Sequence, residues 1–291
     1  MAVLGREQLP LVSVIIASYN HGAYVEQSIL SVLQQTYPNV ELLVVDDGST
    51  DHSVGRIQQL QQAHGFDFRT QSNQGLSRTL NEAISRARGS LIVPFGSDDI
   101  MLPERLALQV DYMRDKPQVG ICAGNIEEIN ELGVLLAPAR PLPARRLTFD
   151  DIFMHRQPGA PAPTLMFRRE ALERVGGFDP AIRLEDLLIQ LKITRIGFCI
   201  DVLEKVLAQY RVHPTNTYKN YRFMLENVLR TYAHFSDHPA YPHVCRRFRH
   251  SMFLKAAGTD KALAWQLLHE MPLHEWDGKT WRGLLRLLLR R

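Results

Sequence analysis

The first hundred residues alternate between two hydrophobic periods. Val12-Ser13-Val14-Ile15-Ile16-Ala17 is a nearly continuous apolar run, the pattern of a strand covered on both faces. Tyr24, Val25, Ser28, Ile29, Val32 and Leu33 then recur at helical spacing, and Pro38-Asn39 interrupts the chain before a second apolar run, Leu42-Leu43-Val44-Val45. Ser49-Thr50-Asp51 reads as a helix N-cap ahead of Val54, Ile57 and Leu60. A short strand around Phe66 to Thr70, a helix from Leu76 to about Ala87 and a strand at Leu91-Ile92-Val93-Pro94-Phe95 follow, and Pro103 is placed to open the next helix. Strand and helix in this rhythm predict an α/β fold whose parallel sheet binds ligands at the carboxyl ends of its strands.

The later pattern is less regular. Pro138 to Pro143 and Pro158 to Pro163 read as loops, Gly176-Gly177-Phe178-Asp179-Pro180 as a turn, and Leu184-Glu185-Asp186 as the start of a helical run through Ile193. From about Pro214 the pattern is helical and more polar, with no strand signal. Trp281, Leu284, Leu285, Leu288 and Leu289 form one apolar stripe, while Arg282, Arg286 and Arg290, with Arg291 beside them, line another face. Such a helix suits an anionic membrane interface or docking on the protein's own core. The expected organisation is a domain over 1–213, split near residue 100, and a helical region over 214–291.

Composition narrows the picture further. A 45% hydrophobic and 22% charged chain of 291 residues fits a soluble globular protein, and a net charge of +3 over the whole chain is too small to imply nucleic acid as a partner, although the last stretch is locally basic. Cys122, Cys199 and Cys245 stand far apart without a CxxC pair, which argues against a zinc cluster or a disulfide framework. The N-terminus lacks a signal-peptide apolar run, and no stretch approaches the ~18 apolar residues of a membrane span. The expected location is the cytoplasm, with any contact at the inner face of the cytoplasmic membrane peripheral.

Three strand ends carry polar clusters: Ser18-Tyr19-Asn20, Asp46-Asp47-Gly48-Ser49 and Ser97-Asp98-Asp99. Each alone also suits a turn or a helix cap. Together, on one edge of a parallel sheet, they point to a ligand site. Adjacent carboxylates repel unless a cation compensates them, and Mn²⁺ or Mg²⁺ bridging to a diphosphate does so. Neither GxxxxGK[ST] nor GxGxxG is present, which leaves a metal as the candidate holder of phosphate charge.

Val12 to Asn20, Ser28 through Gln35 and Val44 to Asp51 resemble the opening of the family 2 glycosyltransferases of GT-A fold. The likeness continues through Asn73-Gln74-Gly75, Asn81, Gly89 and Ser97-Asp98-Asp99. It resumes at Phe167-Arg168-Arg169, Gly176-Gly177-Phe178, Glu185-Asp186 and Tyr210-Arg211-Val212-His213, covering about residues 11 to 215. The resemblance implies a mostly parallel central sheet flanked by helices, a nucleotide-sugar-binding half over about 1–100 and an acceptor-binding half over 101–213. It implies that Ala17, Ser18, Tyr19 and Asn20 meet base and ribose. Asp47, with Asp46, would accept a hydrogen bond from a pyrimidine base, pointing to a UDP- or dTDP-linked donor. Ser97 and Asp98 would hold ribose or a metal-bound water, Asp99 the metal, and His213 the metal or diphosphate. Asp186 matches the general base, and Glu185 and Thr164 fall on the acceptor side. The implied reaction is inverting transfer to a hydroxyl of a glycan or lipid-linked acceptor in bacterial surface polysaccharide or lipopolysaccharide synthesis.

Two positions depart from the family pattern. Gly96 stands where an aspartate is common, removing one carboxylate, and the frequent Ala-Arg-Asn reads Thr79-Leu80-Asn81, which puts the donor contact of Arg78 in doubt. The QxxRW motif of processive synthases is absent. Two other classes stay open at the level of sequence: a sugar-nucleotide nucleotidyltransferase, whose Gly-rich phosphate loop residues 17 to 23 lack, and a non-catalytic module that keeps the fold.

Overall fold

A computed structural model, which describes residues 9–214, 216 and 219–289, divides the chain into two units, Met1–His213 and Pro214–Arg291. The first unit opens with β1 (Val12–Ser18), α1 (Val25–Leu33), β2 (Val40–Asp46), α2 (Ser53–His64), β3 (Asp67–Thr70), α3 (Leu76–Arg86) and β4 (Leu91–Gly96). β1 lies between β2 and β4 and runs parallel to both, and β3 extends the parallel set beyond β2. Val12, Val14, Ile15, Ile16, Ile92 and Val93 are all fully buried, as the unbroken apolar runs require for strands covered on both faces. Ser18 pairs with Asp46 and Ala17 with Gly96, so register alone brings the three polar clusters to one edge.

The second half of the sheet was less legible. β5 (Ile100–Met101), α4 (Arg105–Met113), β6 (Val119–Ile129), β7 (Arg145–Leu147), α5 (Phe149–Phe153), β8 (Met166–Arg168), α6 (Arg169–Arg174), α7 (Glu185–Arg195) and β9 (Cys199–Arg211) complete the unit. β8 joins antiparallel to both β4 and β6, β9 runs parallel to β6, and β5 and β7 pair antiparallel with β9. The sheet is therefore parallel through its first half and mixed through its second. Two boundaries differ from expectation. α4 starts at Arg105 rather than on Pro103, whose carbonyl accepts the Thr36 N–H. α2 starts at Ser53, beyond the expected cap, with Asp51 Oδ1 accepting from the Ser53 N–H.

The second unit is helical: α8 (Tyr221–Ala233), α9 (Tyr241–Ala256), α10 (Lys261–Glu270) and α11 (Gly278–Leu289). Its core gathers Met252, Phe253, Ala256, Leu263, Leu267 and Leu287. α11 docks through Thr280, Gly283 and Leu287, and a Cβ at Gly283 would run into the Phe253 ring. The stripe read from sequence is not the docking face: Trp281, Leu285, Leu288 and Leu289 are exposed, and Leu284 is half-buried. Arg290 and Arg291 lie outside the described residues. No helix among the described residues is long and apolar enough to cross a membrane.

Candidate active site

The polar strand ends open into a cleft lined by Ala17, His21, Gly96, Ser97, Asp98, Asp99, Glu185, Asp186 and Tyr210, with Leu76, Phe95, Pro163 and Phe178 among its apolar walls. The hairpin-like pairing of β5 with β9, Ile100 opposite Gln209, folds Asp98-Asp99 against Arg211–His213, more than a hundred residues away in sequence. Asp98 Oδ2 lies 3.0 Å from His213 Nε2. His21, Asp98 and His213 each present one ligand atom, all within 4.8 Å of one another. Ser97 Oγ sits 2.7 Å from His21 Nδ1, which leaves Nε2 as the other nitrogen of that ring. The Tyr24 ring stacks on His213 at 5.6 Å between centroids.

The two carboxylates of the pair have different surroundings. Burial opposes ionisation of Asp98, but the hydrogen bond with His213 and the adjacent His21 and His213 rings outweigh it and hold the carboxyl below its ordinary value. Asp99 turns inward, and its Oδ1 accepts the Arg211 N–H at 2.9 Å. Burial, reinforced by the neighbouring Asp98 charge, raises its pKa well above the ordinary value. Asp99 was expected at the metal together with His213; the carboxylate the structure sets beside His213 is Asp98. Arg211 fixes this corner from the back, donating from Nε to the Asp98 carbonyl and from Nη1 to the carbonyls of Asn130 and Glu131. Gly96 packs into the same corner, where a Cβ would lie 2.7 Å from Asp99 Oδ2 and 2.8 Å from Asp98 Oδ1.

Glu185 and Asp186 open α7 on the cleft. Burial, and then the charge of Asp186, push Glu185 up to about 8, and burial raises Asp186. A carboxyl with raised pKa in a cleft is suited to accept a proton near neutral pH.

The remaining sequence-predicted residues divide into those the structure leaves open and those it engages elsewhere. Tyr19 is half exposed and Arg78 is exposed at the surface of α3. Ser18 is fully buried, with no hydrogen-bond partner for its Oγ. Asn20 takes a positive φ of 53°, and its Oδ1 accepts the Thr50 N–H. Asp46 accepts from both the N–H and the hydroxyl of Ser49. Asp47 accepts from Gln71 Nε2 and Gln74 N–H on Oδ1 and from Gly75 N–H on Oδ2, which leaves a base little of its acceptor capacity. Asn81 closes both ends of its amide on the Phe178 backbone. Thr164, expected on the acceptor side, is buried, its hydroxyl bonded to the Gly124 and Pro161 carbonyls. His21 is the residue that reading strand ends passes over, although it directly follows Ser18-Tyr19-Asn20.

A four-strand parallel set whose carboxyl edge carries a His/Asp cluster beside a cleft that also holds a carboxylate pair has the architecture of a GT-A glycosyltransferase. The family model described as glycosyl transferase family 2 matches residues 13–176, more than half of the chain, and the chain belongs to that family. A glycosyltransferase of Nostoc sp. PCC 7120 is 31% identical over 223 residues, which span 71% of this chain and 66% of the relative. The O-antigen biosynthesis glycosyltransferase WbnJ of Escherichia coli is 31% identical over 226 residues, 73% of this chain and 84% of that protein. Among solved structures, the mannosyltransferase PcManGT of Pyrobaculum calidifontis, in complex with GDP-Man and Mn²⁺, superposes with a TM-score of 0.64. It shares 18% identity over 97% of this chain and 88% of its own.

Proposed function

We propose that this glycosyltransferase moves a sugar from a nucleoside-diphosphate donor, UDP- or dTDP-linked, to a hydroxyl of a surface glycan or lipid-linked acceptor, inverting the anomeric centre. The observation that carries the reading is that one cleft is lined both by His21 and Asp98, which cluster with His213, and by Asp186. The naming of the E. coli relative for O-antigen synthesis supports an acceptor of the surface-glycan class.

Two imidazoles and one ionised carboxylate make a mixed nitrogen and oxygen donor set, which fits Mn²⁺ better than the all-oxygen preference of Mg²⁺. His21, Asp98 and His213 would hold that ion, which when bound supplies positive charge against the departing diphosphate. Asp99 is given the part of a buried support: its carboxyl anchors the Arg211 backbone and so helps to position His213 two residues on. Ala17 and Tyr19 border the donor side, and Asp46 and Asp47 shape the loop beneath it through their internal hydrogen bonds. Asp186 takes the proton from the acceptor hydroxyl as it attacks, while burial and the Asp186 charge disfavour ionisation of the neighbouring Glu185. A single displacement needs no nucleophilic side chain.

A panel of nucleotide-sugars incubated with Mn²⁺ and read by release of nucleoside diphosphate tests the reading. Asp186→Asn should remove transfer, by roughly a hundredfold or more, while nucleotide binding stays near that of the wild type. Release of pyrophosphate would assign a nucleotidyltransferase, and full transfer by the variant would remove Asp186 as base.

A further inference from the structure

The circumference of α11 is divided into three sectors. Thr280, Gly283 and Leu287 form the face docked on the unit's own core, beneath which Phe253 lies. Trp281, Leu285, Leu288 and Leu289 form a second, apolar sector that is 60%, 58%, 63% and 71% exposed. Lys279, Arg282 and Arg286 form the third, and the helix contains no acidic residue. At 3.6 residues per turn each sector takes roughly a third of the circumference. A helix seated by one face therefore still presents a complete apolar stripe with a cationic flank.

Charge supports the same direction. Residues 214–291 carry 13 lysines and arginines against 6 aspartates and glutamates, a net of +7, whereas residues 1–213 carry 21 against 25, a net of −4. The modest overall charge conceals a basic helical unit. None of the ion pairs among the described residues engages Lys279, Arg282 or Arg286; their hydrogen bonds run to Ser251 Oγ and to the carbonyls of Gly278 and Leu254. Trp281, edge-on to Trp276 at 5.1 Å between ring centroids, stands at the start of the stripe.

We propose that α11 lies flat in the headgroup region of an anionic lipid bilayer, with Trp281, Leu285, Leu288 and Leu289 inserted and the basic sector on the phosphates. Indole rings favour this depth, and an apolar stripe flanked by arginines gains both hydrophobic burial and attraction to anionic lipid. A second copy of the chain fits the stripe less well. Two such helices would bring their arginines together with no carboxylate on either to neutralise them. The proposal stands on the helical unit alone and does not depend on the donor or acceptor assigned to the cleft.

Co-sedimentation of the full chain with vesicles decides it. The wild type should sediment with phosphatidylglycerol–phosphatidylethanolamine vesicles and stay in solution with pure phosphatidylcholine. Leu285→Glu with Leu288→Glu should weaken binding about tenfold or more, and Arg282→Glu with Arg286→Glu a similar amount, relieved in neither case by lower salt. Leu132→Glu, at an 83% exposed position in the other unit, should change nothing. The altered positions are exposed, so circular dichroism and melting should match the wild type. Absence of wild-type binding, equal binding to phosphatidylcholine, or undiminished binding by the double glutamate variant overturns the proposal. So does a solution dimer, seen by light scattering, that the double glutamate variant dissolves, since that result gives the stripe to a second copy.

Discussion

Exchanging each aspartate of the Asp98-Asp99 pair for asparagine separates two carboxylates that sequence treats as equivalent. Asp98 Oδ2 lies beside His213 and within the His21 cluster, whereas Asp99 Oδ1 is committed to the Arg211 N–H. If Asp98 ligates a divalent ion, their charge centres lie about 3 Å apart. Even screened as in bulk water, charges of one and two at that distance attract by about 3 kcal/mol. At about 1.4 kcal/mol per factor of ten, Asp98→Asn should weaken Mn²⁺ binding about a hundredfold. Asp99→Asn keeps an amide oxygen that can accept the Arg211 N–H and removes a carboxyl whose ionised form is already disfavoured, so affinity should hold within about threefold. Titration of free Mn²⁺ by electron paramagnetic resonance reads both values without substrate, and melting curves show that both variants fold. A hundredfold loss in Asp99→Asn with Mn²⁺ binding retained in Asp98→Asn would refute the assignment.

Gly96→Ala should lower stability by about 1–3 kcal/mol and weaken Mn²⁺ binding, because its Cβ enters the space of both carboxylates. A scanning-fluorimetry melt and Mn²⁺ affinity both equal to the wild type would show that the carboxylates move aside freely. Glu185→Gln tests the carboxylate pair through pH. With the folded pKa raised to about 8 from an ordinary value of 4.5, the native state prefers the protonated acid. Its favourable contribution is present below the unfolded value and is lost as pH climbs from there to 8, by up to about 1.4 kcal/mol per pH unit. The variant should therefore melt above the wild type at pH 8 and close to it at pH 4.5. Coincident melting temperatures at both pH values would show that Glu185 titrates normally.

The parallel half of the sheet was legible because its strands are buried on both faces and read as unbroken apolar runs, and because strand ends in a parallel sheet share an edge. The mixed half was not. β6 carries Asn125, Glu127 and Glu128 within its span, and β8 is three residues long, so neither produces a period. The short β5 gave no signal either, although it sets the position of Asp98 against His213. Asp186 was placed on the cleft through family likeness rather than pattern, since charged residues at a helix start are equally explained by the helix dipole. The stripe on α11 was visible, but its direction was not. Sequence shows that an apolar sector exists, while only packing shows that Gly283, with no side chain, supplies the close approach to Phe253.

The same distinction explains the aspartate missing at position 96. Counted as a ligand, its replacement by glycine weakens a metal site. Seen in the fold, the space its side chain would occupy is filled by the carboxylates of Asp98 and Asp99 turning back beneath the end of β4. Asp99 can then reach the Arg211 N–H, and that bond, together with the Arg211 guanidinium on the Asp98 carbonyl, draws the end of β9 and His213 onto Asp98. In the proposed metal site, two imidazoles, His21 following β1 and His213 following β9, would stand in for a carboxylate at position 96, brought in from different parts of the chain. An aspartate returned to position 96 would therefore compete for the same space rather than restore a ligand, and Gly96→Asp should bind Mn²⁺ less well than the wild type despite its added charge.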